Sequence, residues 1–187
     1  MIAQTPGTPA DDINFAVGQL RKSRINFINA INGVSDAQWK FKPAPGKWSI
    51  AECAEHIAVA EPELLRMAKS ASFDPLPAGM KLPGKAFDRE LLKMIADRSQ
   101  KAQAPEVLKP TGRFKDQTAV RQEFWQMRNE SIRFVETSTA NLRDHGLMNE
   151  AMKSPLDGLQ WLLLISAHTE RHISQIEEIK ASAGYPK

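Results

Sequence analysis

The sequence predicts an all-α protein, a four-helix bundle with one short accessory helix. Apolar residues recur at helical spacing over four long stretches and one short one. Segments rich in Pro and Gly separate these stretches, and nothing alternates with period two over a useful length, so no strand is expected. At 187 residues and 42% hydrophobic side chains, the chain can bury one sizeable core without needing disulfides.

A Pro-containing tail over residues 1–9 is expected to be flexible, and residues 10–183 to form a single domain. Asp11 or Asp12 is placed to cap the first helix. Ile13, Val17, Leu20, Arg24, Phe27, Ile28 and Ile31 then follow along one face until Gly33. Within that helix, Arg21-Lys22-Ser23-Arg24 reads as a solvated basic face. From Gln38 to Trp48, two prolines and a glycine break any period and predict an ordered, aromatic-pinned loop. Ser49 opens the second helix, which runs to about Ser70, and Glu52 three residues later completes a capping box.

Ser72 to Lys85 holds Pro75, Pro77, Pro83, Gly79 and Gly84, the composition of a disordered segment or a flap. Phe87 to Lys101 is the accessory helix, with Leu91, Leu92, Met94 and Ile95 as its stripe, and Ala102 to Asp116 is again a loop. Thr118 to Leu142 forms a long helix through Val120, Phe124, Met127, Ile132, Phe134 and Val135. After the loop around His145, Gly146 and Pro155, Asp157 caps the last helix, whose stripe extends to Ile179 before Gly184.

Charge and cysteine content narrow the function classes. Lys and Arg number 25 against 22 Asp and Glu, a net +3 that gives no reason to expect a nucleic-acid or membrane partner. Cys53 stands alone, which excludes an internal disulfide and cysteine-rich zinc modules and fits a reducing compartment. The longest apolar run, Trp161 to Ile165, is far below the ~20 residues of a membrane helix. Met1 to Ala10 lacks the pattern of a secretory signal, so a cytoplasmic protein is expected. Neither a Gly-rich phosphate loop nor a G-x-S-x-G elbow is present.

The chemistry lies in three histidines on apolar faces. His168 and His172 stand one helical turn apart on the stripe Ile165, His168, His172, Ile176, Ile179, where a core helix ordinarily carries Leu or Val. Each buried imidazole needs a partner to offset its desolvation, and a shared metal ion would serve both; two hydrogen-bonded histidines are the simpler alternative. His56 decides between them, because it lies on the stripe Cys53, His56, Ile57, Ala60, Leu64 of the second helix and can point into the same interior. Three imidazoles from two helices fit an open His₃ metal site.

Related motifs are excluded by spacing. Thr169, not a glutamate, follows His168, and Glu170 lies ~200° around the helix at ~100° per residue, facing solvent. Glu-x-x-His pairs of di-iron bundles are missing, since Cys53 and Thr169 stand three residues before His56 and His172. Cys53 is a candidate fourth ligand or reactive thiol, with an inert buried cysteine as the simpler reading. Gln175 and Glu52 are candidates to orient imidazoles, Glu52 being already called upon by the cap. Trp48, Trp125 and Trp161 read as core or pocket wall, and His145 as solvated. Met67, Met80, Met94 and Phe87 read as core rather than as an adaptable apolar pocket. No carboxylate is assignable as a general base, which leaves catalytic residues unassigned.

Two segments resemble a known family. The run from Trp39 through Lys42-Pro43-Ala44-Pro45-Gly46-Lys47-Trp48-Ser49 to Glu52, followed by His56, is similar to the loop and second helix of the DinB-like (DinB/YfiT) superfamily. Leu156-Asp157-Gly158 through His168-Thr169-Glu170-Arg171-His172 to Ile176 is similar to that family's last helix. The likeness extends over roughly residues 10–183, and between Ser72 and Asp116 it consists only of helix and proline content. It implies a four-helix bundle binding a divalent metal, zinc or nickel, through His56, His168 and His172, and a homodimer. It also implies a metal-dependent enzyme of hydrolase or thiol-dependent S-transferase type, acting on a small molecule or a low-molecular-weight thiol. The alternative is a non-catalytic, metal-stabilised bundle serving as a sensor or binding module.

Overall fold

A computed structural model describes residues 7–76, 78–99 and 103–187. In chain order the elements are α1 (Ala10–Ile31), α2 (Asp36–Lys40), α3 (Ile50–Phe73), α4 (Asp88–Ala96), α5 (Gln117–Thr137), β1 (Gly146–Asn149), β2 (Ser154–Asp157) and α6 (Gly158–Lys180). Helices α1, α3, α5 and α6 form the four-helix bundle, and α4 lies against α6 as the accessory helix. None of the described helices is long and apolar enough to cross a membrane.

The expected caps hold for two of the bundle helices. Ser49 accepts from the Glu52 amide while Glu52 accepts from the Ser49 amide, and Asp157 and Gln160 repeat the arrangement at the start of α6. Asp116 also caps α5. The first helix departs from expectation: Pro9 precedes it without any side-chain cap, and Asp12 turns inward to Arg143 and Lys85. Of the expected tail, residues 1–6 lie outside the described residues, whereas Thr8 donates to the Ala140 carbonyl and accepts from the Leu142 amide.

Other boundaries move for identifiable reasons. The expected loop from Gln38 begins inside α2, whose five residues are too few to show a period but carry their own Ser35–Gln38 capping box. Helix α5 stops at Thr137, so Leu142 reaches the core from the following loop. Helix α4 is shorter than expected, and residues 100 and 101 of that expectation lie outside the described residues. A β-hairpin, β1 antiparallel to β2, occupies residues read as loop. Four-residue strands with Pro155 in one of them give no readable alternation.

The proline-rich segment after α3 is partly fastened. A Cβ on Gly146 would meet Leu82 and Leu76, and the Gly84 carbonyl accepts from Gln160. Pro77 lies outside the described residues. The basic run on α1 is split: Arg21 and Lys22 are exposed, Ser23 is fully buried, and Arg24 is half-buried above the Trp125 ring.

Two apolar clusters fill the bundle. Helix α6 gives Leu162 to Ile165 to one and Ile176 and Ile179 to the other, and its histidines fall between them. At the same level Arg128 of α5 is wholly buried. Its guanidinium meets Glu61 of α3 at 2.6 and 2.8 Å, and also the Leu20 carbonyl and Ser23 of α1 and Thr169 of α6. All five N–H donors are thereby used.

Replacing Arg128 with Met would leave Glu61 buried without its partner. That variant should lose about 3–5 kcal/mol of stability by urea denaturation. Converting Glu61 to Leu as well should recover most of the loss, because no buried charge then remains.

Candidate metal centre

Helices α3 and α6 pack face to face and bring His56, His168 and His172 together. Their ring centroids lie 4.5 to 4.9 Å apart, and their candidate ligand atoms lie within 4.8 Å of one another. His56 Nε2 is 3.1 Å from His168 Nε2. The outer edges of two rings are engaged from behind: His56 Nδ1 donates to the Leu108 carbonyl at 2.8 Å, and His172 Nδ1 to Gln175 Oε1 at 2.9 Å. A proton on Nδ1 leaves the Nε2 lone pair free to face inward.

Burial keeps these rings neutral. Desolvation lowers the pKa of all three; His172 falls to about 3, with the nearby His56 adding to the effect. His168 is lowered well below its ordinary value, first by burial and then by its two histidine neighbours. Three neutral imidazoles whose candidate ligand nitrogens lie within 4.8 Å of one another make a donor set for a borderline divalent cation. Two nitrogens about 2.0–2.1 Å from one zinc at a tetrahedral angle stand roughly 3.3 Å apart, close to the 3.1 Å found here. The residues therefore fit a metal.

His56 and His172 are buried and His168 is partly accessible. Trp48 walls the group, its ring 5.1 Å from that of His56 and stacked 6.0 Å from that of His172. Another wall is the loop before α5, where Glu55 accepts from the amides of Thr111 and Gly112 at 2.7 and 2.9 Å. Gly112 adopts a φ of +80°, a conformation natural to glycine, and the same loop supplies the Leu108 carbonyl.

Of the two candidate orienters, Gln175 is confirmed in contact with His172, whereas Glu52 is spent on the Ser49 cap and on Lys42. Cys53 is buried in the second apolar cluster outside the histidine group, and burial pushes its thiol up, away from thiolate. Trp161 is core, its Nε1 donating to the Leu147 carbonyl. Trp125 is 48% exposed and lines a surface groove, so of its two readings the wall holds and the core does not. His145 is half-buried, with a hidden Nδ1, where full solvation was expected. Glu170 turns to Asn26 of α1 and is only partly solvated. Met80 and Met94 are exposed while Met67 and Phe87 pack on the main cluster, so these four side chains line no common pocket.

Leu108, Glu55 and Arg98, which bonds Gln175, escaped the sequence reading. A backbone carbonyl leaves no mark in residue identity, and Arg98 falls within the expected accessory helix but lies in the turn beyond the end of α4. Only Glu55 left a signal, as a carboxylate on the buried side of α3 next to His56.

Residues 19–176 match the sequence profile of the DinB superfamily. The chain belongs to the DinB superfamily. This DinB-superfamily protein is 26% identical over 162 residues to YuaE, an uncharacterized protein of Bacillus subtilis strain 168, covering 85% of this chain and 93% of YuaE. Its structure resembles that of YfiT from Bacillus subtilis with a TM-score of 0.62 at 14% identity, covering 97% of this chain and 93% of that one. YfiT is described as "a probable metal-dependent hydrolase with an unusual four-helix bundle topology". At that identity the likeness establishes a common fold.

The lowered histidines set a pH dependence. An unfolded histidine takes up a proton near its ordinary value of 6.5, whereas folded His172 does so only near 3. The unfolded state therefore binds more protons between those values, and stability falls as the pH drops through that window. One such histidine contributes at most about 1.4 kcal/mol per pH unit. Urea denaturation with chelator present should show wild type losing more stability from pH 7 to pH 5 than His172→Leu does; equal losses would contradict the assignment.

Proposed function

We propose that this DinB-superfamily protein holds a divalent metal, zinc or nickel, on His56, His168 and His172, and uses it to act on a small molecule. The observation that carries this reading is the convergence of three neutral imidazoles, two of them with their outer nitrogens already bonded. The description of YfiT as a probable metal-dependent hydrolase supports it. When bound, the metal would lower the pKa of a coordinated water or thiol.

The chain's own residues favour a thiol. Among the described residues no Asp or Glu joins the histidine group, so no carboxylate is at hand to take a proton from an attacking water. A thiol is already acidic enough to react without such a base. Trp48 and the loop held by Glu55 shield two sides of the group. The reading is therefore metal-dependent transfer of a low-molecular-weight thiol, with hydrolysis as the second possibility within the same site.

Elemental analysis of tag-free protein should find near-stoichiometric zinc or nickel, lost in both His172→Ala and His56→Ala. Cobalt(II)-substituted protein should then change its visible spectrum when a small thiol is added. Protein that cannot be loaded with metal would remove the catalytic reading. A metal whose loss lowers only the melting temperature, and whose cobalt form ignores thiols, would make the site structural.

A further inference from the structure

The turn that follows α4 is tied to α6 by two arginines running in opposite directions. Arg171 of α6 donates to the backbone carbonyls of Ile95 and Asp97. Arg98 of the turn reaches back, meeting Glu178 through Nε and Nη2 at 2.7 and 2.8 Å and Gln175 Oε1 through Nη1 at 3.2 Å. The turn itself is shaped by Asp97, which accepts from the Ser99 amide and hydroxyl. Positions 171, 175 and 178 share one face of α6, so the turn grips that face over two turns of helix.

Gln175 Oε1 thus accepts from two donors, Arg98 Nη1 and His172 Nδ1. A primary amide can sit either way round, and its two ends differ in kind: the oxygen only accepts and the nitrogen only donates. An arginine can only donate, so whatever faces Arg98 must be the oxygen. With the oxygen held there, His172 must carry its proton on Nδ1, which leaves the Nε2 lone pair for the centre. If the amide turned over, its nitrogen would donate to Nδ1, and the proton of the neutral ring would move to Nε2, the atom that must be bare to bind a metal.

We infer that Arg98 is a positioning residue for the histidine site: by fixing the orientation of the Gln175 amide it selects the Nδ1–H tautomer of His172. Glu178 belongs to the same device, because its two bonds hold the guanidinium in reach of Gln175. This inference rests on the proposed metal site only for its affinity consequence; the tautomer is a property of the metal-free chain.

The test uses two readouts. Long-range ¹H–¹⁵N NMR of metal-free protein should show His172 as the Nδ1–H tautomer in wild type and a shift toward Nε2–H in Arg98→Met. Competition against a chromophoric chelator should show zinc bound about tenfold to hundredfold more weakly by Arg98→Met. Adding Gln175→Glu to that variant should restore both, because a carboxylate has no donating end to present. A structural role would behave otherwise, since damage to the α4 turn would not be repaired by a change at position 175. An unchanged tautomer in Arg98→Met, or failure of the second substitution to restore it, would overturn the inference. Wild type that takes up no zinc but shows the expected tautomers would sink the metal reading and leave the role of Arg98 standing.

Discussion

The fold depends on one buried charge. Arg128 has no access to water, and a guanidinium there is tolerable only if every donor is met. Glu61 supplies the counter-charge and two acceptors, and Ser131 donates to the same carboxylate. The remaining acceptors come from α1 and α6, so the four bundle helices must hold a single relative register for the arginine to be satisfied. Apolar packing alone tolerates sliding by a fraction of a turn; a fork of five directed donors does not. Thr169, one of its partners, lies between His168 and His172, and Glu61 lies little more than a turn from His56. The constraint that aligns the helices therefore also aligns the histidines.

Around the site the same economy recurs at smaller scale. Each outer nitrogen that is occupied answers to a group anchored elsewhere: Leu108 on a loop held by Glu55, and Gln175 on a helix face gripped by the α4 turn. The imidazoles are neutral because they are buried, and two of them, His56 and His172, are oriented because their backs are bonded. Both properties exist in the chain without a ligand. A second arginine, Arg143, performs the corresponding task at the other end of the bundle, joining Asp12 of α1, Asp88 of α4 and Asp157 at the start of α6.

Much of this was legible in the residues. The four long helices, the caps at Ser49 and Asp157, and the convergence of His56 with His168 and His172 all follow from periodicity and from short-range capping chemistry, which act within a few residues of themselves. The hairpin, α2 and the end of α5 were not legible, since short elements carry no period and Leu142 is apolar for a tertiary reason. That Trp125 lines a groove rather than the core was not legible, because an aromatic at helical spacing looks alike whether it meets a core or a groove. Arg128 and Arg98 fall in the same class: an arginine is ordinarily a surface residue, and only long-range geometry shows where its donors go.

The bond between His56 and Leu108 joins a rigid helix to a loop. Free-energy coupling of this kind is reciprocal. Whatever settles the Leu108 carbonyl against the ring stabilises one ring orientation, and whatever holds the ring in that orientation lowers the free energy of the closed loop by the same amount. Glu55, adjacent to His56 in sequence, fastens the loop from the next position on the same helix. Loop order and imidazole geometry in this protein are thus two readings of a single equilibrium, and ligation at His56 would be felt as protection of the backbone around Thr111 and Gly112.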